Sequence, residues 1–492
     1  MNRSRRGALV ALLVLGPVGT LAAQSATPRP LSLEEALTLA VPASEGLELA
    51  KAAVLRARGE EYRAGSERWP QLSATLGYTR QLKSQFEGID FGGNDTANGG
   101  NGDFSDLPFG QRNTYSLGLS ISQTLFTGGR IRGQTLAADA GRRSAEFGVT
   151  SAEAQLTLDV VTGYYDAVLA DRQLSIAETA LAQADTTLRQ TQARRAVGTQ
   201  PEFDVLRARV ARDNQRTAVI QRRTDRDLAH VRLKQLLNLP LDDALALSTD
   251  LEDTSATRVP TLARVLDAEP DTAAEHRLAV RQGTEAVRAQ EGLLRVARAQ
   301  QIPSLVFTSQ YGRVGYPAGF YPGDANYFTN WNLNLGLQLP LFTGGRIRGE
   351  KMAAEAAVRE AELQLQQTME AARLDARLAL FTLDAAEASW EASQGTVEQA
   401  QRAYEIAEIR FGEGISTQTE LLDARLALET ARTQRAQAAR ELQVARVRMA
   451  LIGALPLPGA QRGVAPPPPG QVQPQPGPAQ PNPIPGTTGI TP

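Results

Sequence analysis

The sequence predicts a mainly α-helical fold with membrane β-strands, in which a unit built around a long helical hairpin occurs twice. Three observations lead to this prediction. A nine-residue sequence recurs later in the chain, two long proline-free stretches are rich in helix-forming residues, and four short segments alternate in hydrophobicity with a period of two.

The repeated sequence, Leu-Phe-Thr-Gly-Gly-Arg-Ile-Arg-Gly, occupies residues 125–133 and 341–349, which are 216 positions apart. The same offset aligns Gly198 with Gly414, so the register continues far beyond the nonapeptide. A chance match would not do this, and we interpret the chain as two copies of one unit. We place the first repeat at 31–238, an equatorial connection at 239–271 and the second repeat at 272–452.

The two ends of the chain have compositions of their own. Arginines at positions 3, 5 and 6 precede an apolar stretch and the small pair Ala22-Ala23, which is typical of a secretory signal peptide spanning residues 1–23. A retained anchor is the alternative, but the apolar stretch is short and contains Gly16, Pro17 and Gly19. At the other end, residues 456–492 hold 13 of the 27 prolines, and we expect a disordered tail.

Composition excludes several functions. The chain has no cysteine, which excludes disulfides, thiol catalysis and a lipid attached to an N-terminal cysteine. Two histidines make a histidine-built metal centre improbable, and a net charge of -2 argues against a nucleic-acid partner. After the signal segment, no apolar run reaches the ~18 residues of a transmembrane helix.

We expect continuous helices at 134–196 and from 350 to about 410, because both stretches are rich in Ala, Leu, Gln, Arg and Glu. At ~1.5 Å per residue, each rod is roughly 90 Å long. Apolar or small residues recur at spacings of three and four, as in a coiled coil. They are Leu174, Ala177, Leu181, Ala184 and Leu188 in one rod, and Val397, Ala400, Tyr404, Ala407 and Phe411 in the other.

Each rod ends at a turn that contains a glycine, Gly198 in the first copy and Gly414 in the second. The patterns Thr199-x-x-Glu202 and Thr417-x-x-Glu420 predict capping boxes that start the returning helices. These helices continue to about 237 and 449. Each copy is therefore expected to contain a helical hairpin whose tip lies far from its β-strands.

Four segments near 72–81, 114–124, 304–311 and 329–340 alternate apolar and polar residues. A soluble sandwich of half-buried strands is the alternative for any one of them. The Gly-, Asn- and Asp-rich loop at 81–113 and the aromatic loop at 312–330 favour membrane strands with an interfacial belt. Four strands cannot close a barrel, so we expect a homotrimer with a 12-stranded transmembrane β-barrel, four strands per chain, continuing into a trimeric α-barrel.

Several short motifs occur in a specific order. They are Leu33-Glu34-Glu35-Ala36-Leu37, Trp69-Pro70-Gln71-Leu72, Ile302-Pro303-Ser304-Leu305, the doubled Leu-Phe-Thr-Gly-Gly, and a tip with Gly414, Glu420, Asp423 and Ala424. With this order and duplication, residues 31–457 resemble the TolC-like outer-membrane efflux family. Members are often acylated on a first mature cysteine, which this chain lacks.

The resemblance implies a trimeric duct in the outer membrane that extends into the periplasm. Such a duct docks onto a periplasmic adaptor protein and a proton-driven or ATP-driven inner-membrane pump, and serves efflux or type I secretion. It needs no cofactor, and we predict no catalytic, cofactor-binding or metal-binding residue. The sequence does not encode the substrate, because a wide water-filled tunnel selects little.

The candidate site residues lie at the hairpin tips and at the junctions between strand and helix. In the family an acidic pair lines the periplasmic gate, which points to Glu420 and Asp423, with Asp204 as the first-repeat equivalent of Glu420. Glu420 could instead serve only as a capping residue, and Asp204 could pair with Arg207. The candidate adaptor-contact residues are Gly198, Thr199, Gly414, Ile415 and Ser416. The candidate swivel between strand and helix consists of Gly128, Gly129, Gly344 and Gly345.

Two other functions compete with an exit duct. One is an exported coiled-coil scaffold with a soluble β cap, which would need no membrane. The other is an exported enzyme, for which the sequence offers no catalytic constellation and no Gly-x-Ser-x-Gly motif.

Overall fold

The computed structural model describes residues 29–83, 111–252, 272–317, 319–321, 323 and 327–458. The expected signal peptide, most of the loop at 81–113, the later part of the equatorial connection and the proline-rich segment after residue 458 lie outside the described residues.

The two halves of the chain contain similar series of elements. The first half forms β1 (Arg29–Leu31), α1 (Leu33–Ala43), α2 (Glu45–Ser66), β2 (Gln71–Arg80), β3 (Asn113–Phe126), α3 (Arg130–Ala196), α4 (Glu202–Leu236) and β4 (Leu245–Leu247). The second half forms a 3-10 turn (Ala274–His276), α5 (Leu278–Ala299), β5 (Ser304–Gly315), β6 (Tyr327–Gln338), α6 (Arg346–Gly412) and α7 (Gln418–Ala450).

The two long helices match the predicted rods and begin four residues earlier. α3 and α6 each have 67 residues, which at ~1.5 Å per residue gives rods of about 100 Å. Each starts directly after a glycine in the left-handed region, Gly129 with φ 98° and Gly345 with φ 87°. The repeated Arg-Ile-Arg-Gly is therefore the first helical turn and not part of the preceding loop.

The helices form one layer whose order differs between its two ends. Near the hairpin tips, α3 packs against α4 and α7, and α7 packs against α6, which gives the order α4-α3-α7-α6. Nearer the strands, α2 packs on α3, α3 on α5, and α5 on α6. The layer therefore has two outer edges, α4 and α6 at the tip end. None of the described helices contains an apolar stretch long enough to cross a membrane.

The four longer strands form an antiparallel sheet in the order β2-β3-β5-β6. Its register places most of the apolar residues on one face, as in the row of Ala74, Leu119, Tyr311 and Trp331, whereas Val306, Val314 and Phe328 lie on the other face. β5 continues to Gly315, four residues beyond its expected end, because it pairs with β6 up to Tyr327.

A buried core connects the middle of the helices to a small parallel sheet formed by β1 and β4. Tyr164 on α3 is fully buried, and its hydroxyl donates to the Leu31 carbonyl at 2.9 Å and accepts from the Thr249 amide at 3.1 Å. The described part of the equatorial connection is thus fixed to the first long helix.

Candidate functional site

Both hairpin tips use the same backbone turn. Gly198 and Gly414 have φ values of 80° and 73°. The next amides, of Thr199 and Ile415, donate to the carbonyls of Arg194 and Arg410 at 3.0 and 2.8 Å. This bonding satisfies the last carbonyls of each long helix and needs a left-handed residue, which explains both glycines.

The two tips differ in how the returning helix starts. The hydroxyl of Thr417 accepts from the Glu420 amide at 3.4 Å and caps α7. This is half of the predicted capping box, since the described structure has no return bond from the Glu420 side chain to the Thr417 amide. The predicted capping box at Thr199 is wrong: its hydroxyl donates to the Arg194 carbonyl at 2.9 Å, and Pro201 occupies the cap position of α4. A residue before proline disfavours helical geometry, so α4 cannot begin at Gln200.

The candidate gate acids lie close to the tips but on different helices. Glu420 and Asp423 are exposed on α7, three residues apart, and the half-buried Asp204 lies in the first turn of α4. Asp423 borders an open groove of about 460 Å³ beside α6 and α7. The other lining residues are Thr396, Leu426, Ala427, Thr430, Ala431 and Gln434.

Arg207 connects the two hairpins. Its guanidinium donates to the Thr419 hydroxyl at 2.5 Å and stands 6.0 Å from the ring centre of Phe203. The expected ion pair between Arg207 and Asp204 is not formed among the described residues, because the arginine faces α7. The first turn of α4 is thereby joined to the first turn of α7.

A second arginine, which the sequence did not reveal as important, joins the hairpins at the same level. Arg194 on α3 donates to the carbonyls of Phe411 and Gly412 at 2.8 and 2.6 Å, and its guanidinium lies 4.9 Å from the Phe411 ring centre. The sequence offers one weak signal for this arginine, because Arg410 occupies the equivalent position in the second repeat. The 216-residue offset between the repeats cannot, however, reveal a partner on another helix.

Arg425 is a buried charge half a turn from Asp423. Only 7% of the residue is exposed, and its Nε and Nη1 atoms have no hydrogen-bond partner in the described structure. Burial lowers the pKa of Arg425 and raises that of the neighbouring Tyr404 hydroxyl. Because arginine stays protonated near neutral pH, a positive charge persists beside the apolar cluster around Phe411 and Leu428.

The swivel glycines lie where the chain passes from β3 into α3 and from β6 into α6. Gly128, Gly129, Gly344 and Gly345 all have positive φ values, between 56° and 98°. Gly128 is also packed closely, because an added Cβ would lie 2.5 Å from the Cβ of Ile302. The equivalent position at Gly344 faces open space.

Among the described residues, no group of three or more His, Cys, Asp or Glu side chains is arranged to hold a metal ion. The charged groups described at the tips are the three candidate gate carboxylates, two bridging arginines and one buried arginine.

The chain matches a family model described as outer membrane efflux protein, over residues 44–239 and 270–454. It is 27% identical over 426 residues to the pyoverdine export outer membrane protein OpmQ of Pseudomonas aeruginosa, covering 84% of this chain and 82% of the relative. It is also 28% identical over 342 residues to the toluene efflux pump outer membrane protein TtgF of Pseudomonas putida, covering 66% of each.

Solved structures share the fold at lower sequence identity. The CmeC outer membrane channel of Campylobacter jejuni gives a TM-score of 0.71 at 20% identity, covering 86% of each chain. The outer membrane protein VceC of Vibrio cholerae gives 0.68 at 19% identity, covering 86% of this chain and 96% of VceC. The predicted fold class of duplicated long hairpins joined to membrane strands is confirmed. The chain belongs to the outer membrane efflux protein family, as its resemblance indicated, and is an efflux channel of the outer membrane that extends into the periplasm.

Proposed function

We propose that three copies of the chain form the exit duct of a tripartite efflux pump. Each copy contributes four strands to a twelve-stranded barrel and its two repeats to a helical tunnel. The duct works with a periplasmic adaptor protein and an inner-membrane pump, which is driven by protons or by ATP.

The observation that carries this proposal is the exposed apolar face of an open sheet. Leu72, Leu76, Leu333, Leu335 and Leu337 are between 62 and 82% exposed in the single chain. β2 and β6 each have one edge without a partner strand among the described residues. Lipid can cover the face but cannot satisfy backbone groups, so strands of neighbouring copies must pair with these edges.

The cargo proposed is a small molecule. The names of two relatives connect them with pyoverdine export and toluene efflux, and neither names a secreted protein. Type I secretion of a protein is the second candidate function, and the complementation test below distinguishes it from small-molecule efflux.

The tips are the proposed contact with the adaptor. Gly198, Thr199, Gly414, Ile415 and Ser416 form the turns farthest from the strands, and Ile415 is a largely exposed apolar side chain. The proposed periplasmic gate consists of Asp204, Glu420 and Asp423, which threefold symmetry would bring around the axis. A ring of carboxylates would favour cations and would bind divalent ions.

Complementation tests the function. In a strain lacking the channel gene, the wild-type chain should restore resistance to small toxic compounds only when the adaptor and the pump are also present. Size measurement of the detergent-extracted protein should give three copies per particle. Secretion of a large protein without any change in resistance would favour type I secretion, and a soluble product that needs no detergent would favour the scaffold.

Single-channel recording tests the gate. Removing both carboxylates, with Glu420→Ala and Asp423→Ala, should weaken cation preference and block by divalent ions. Glu413→Ala is the matched control, because Glu413 is an exposed tip acid outside the proposed gate. Unchanged selectivity in the double variant, or an equal change in the control, would rule out the gate assignment.

A further inference from the structure

The two outer helices of the layer carry opposite charge. Within α4, nine basic residues outnumber five acidic ones, and within α6, twelve acidic residues outnumber eight basic ones. These helices lie at opposite edges of one chain, separated by α3 and α7. Their opposite charges therefore cannot meet within a copy but can meet between copies.

The charges on each edge form a row. Arg209, Arg216 and Arg223 are seven residues apart on α4, and Glu391, Glu398 and Glu405 are seven residues apart on α6; all six are exposed. Seven residues are close to two helical turns, so each triplet lies along one face. Within the described structure Arg209, Arg216, Glu391 and Glu398 make no ion pair. Arg223 lies 3.3 Å from Glu178, and Glu405 accepts from Gln401 at 2.7 Å.

The two rows lie at matching heights. The arginines are 7, 14 and 21 residues after Glu202, where α4 starts, and Glu405, Glu398 and Glu391 are 7, 14 and 21 residues before Gly412, where α6 ends. Arg194 joins the end of α3 to the end of α6, and Arg207 joins the start of α4 to the start of α7, so the tips of the two hairpins lie near the same level. At ~1.5 Å per residue, the paired heights are about 10, 21 and 31 Å from the tips.

Each row flanks a stripe of exposed apolar side chains. On α4 the stripe includes Phe203, Leu206, Val210 and Ile220, and on α6 it includes Phe381, Ile406 and Ile409. An apolar seam with charged rows beside it is the pattern by which coiled-coil helices select partner and register.

We propose that α4 of one copy packs antiparallel against α6 of the next, with Arg209, Arg216 and Arg223 facing the neighbour's Glu405, Glu398 and Glu391. The interface joins two different surfaces, and under the threefold rotation of the proposed trimer such an interface closes a ring. This inference rests on the proposed trimer, and it assigns the residues that fix its register in the tunnel.

Engineered cysteines test the register, because the chain has none of its own. Arg216→Cys with Glu398→Cys should form disulfides between copies and give covalent trimers on a non-reducing gel. The matched control, Arg216→Cys with Asp384→Cys, moves the second cysteine two heptads, roughly 21 Å, along α6 and should stay monomeric. Cross-linking of the control as readily as the matched pair, or none in the matched pair, would overturn the register.

A charge swap tests whether the rows matter energetically. Arg209→Glu with Arg216→Glu should lose most of the trimer in low salt, and adding Glu398→Arg with Glu405→Arg should restore it. Arg189→Glu with Arg295→Glu changes the net charge equally on two inner helices and should leave the trimer intact. A persistent trimer in the first variant, or no restoration by the swap, would refute the pairing. A wild-type chain that is not trimeric would refute the proposed function. A trimeric wild type combined with either of the refuting outcomes above would refute only the pairing of the two rows.

Discussion

Substitution of Asp375 by alanine should destabilise the helical layer strongly, although the residue lies far from both strands and tips. Asp375 on α6 is almost fully buried and accepts from Arg277 at 2.9 Å and from Arg448 at 3.2 Å. Arg277 has no exposed surface, and its Nε and Nη1 already have no partner in the described structure. Removing the carboxylate leaves this guanidinium charged and buried without a counter-ion, with only its 3.5 Å hydrogen bond to the Leu455 carbonyl.

Breaking a buried pair from one side costs about 3–5 kcal/mol. With an unfolding entropy of about 2.1 cal/mol/K per residue over roughly 400 residues, that loss lowers the thermal midpoint by about 4–6 °C. Circular dichroism at 222 nm on detergent-solubilised protein measures the midpoint. Glu362→Ala is the control, because its 3.0 Å pair with Arg359 is exposed and should contribute about 0.5 kcal/mol at most. Equal midpoints for Asp375→Ala and the control would refute the reasoning.

Three further predictions concern the junctions, the equator and the tips. Gly344→Ala should cost about 1–2 kcal/mol for its left-handed backbone. Gly128→Ala should cost about 1–3 kcal/mol more than Gly344→Ala, because the added Cβ would meet Ile302. Equal losses of stability for the two variants in thermal denaturation would contradict this. The pKa of Glu252 is lowered by its hydrogen bonds from Arg435. The stability that Glu252 contributes to the folded state is therefore complete well above the ordinary glutamate pKa of about 4.3, and it is lost as pH falls through the lowered pKa. The midpoint difference between wild type and Glu252→Gln should accordingly vanish in acid, and a constant difference would count against it. Arg194→Ala should speed hydrogen exchange of the Gly414 and Ile415 amides, whereas Arg410→Ala, at the equivalent position of the other repeat, should not. Identical exchange rates in the two variants would show that Arg194 does not stabilise the tip.

The long helices and the sheet could be predicted because their signals are local. Absence of proline, the spacing of Leu174, Ala177, Ala184 and Leu188, and the alternation along β2 each depend on a few neighbouring residues. Of the two predicted capping boxes, the one at Thr199 failed because Pro201 shifts the helix start, and the one at Thr417 forms only its threonine cap. The alternative of an ion pair between Asp204 and Arg207 is not formed for a different reason, since the arginine donates to Thr419 on the other hairpin.

The sequence alone determined the duplication, the length of the rods, the four membrane strands and the family, because each follows from periodicity or from motif order along one chain. Only the tertiary structure decided the order of helices in the layer, and with it which charged helices lie at the outer edges of one chain. It alone revealed Arg194 and Arg207 across the tips, the buried Arg425 and the buried pair of Arg277 with Asp375. Each of these joins residues on different helices or depends on burial, and neither spacing nor composition determines which side chains become neighbours when the helices pack.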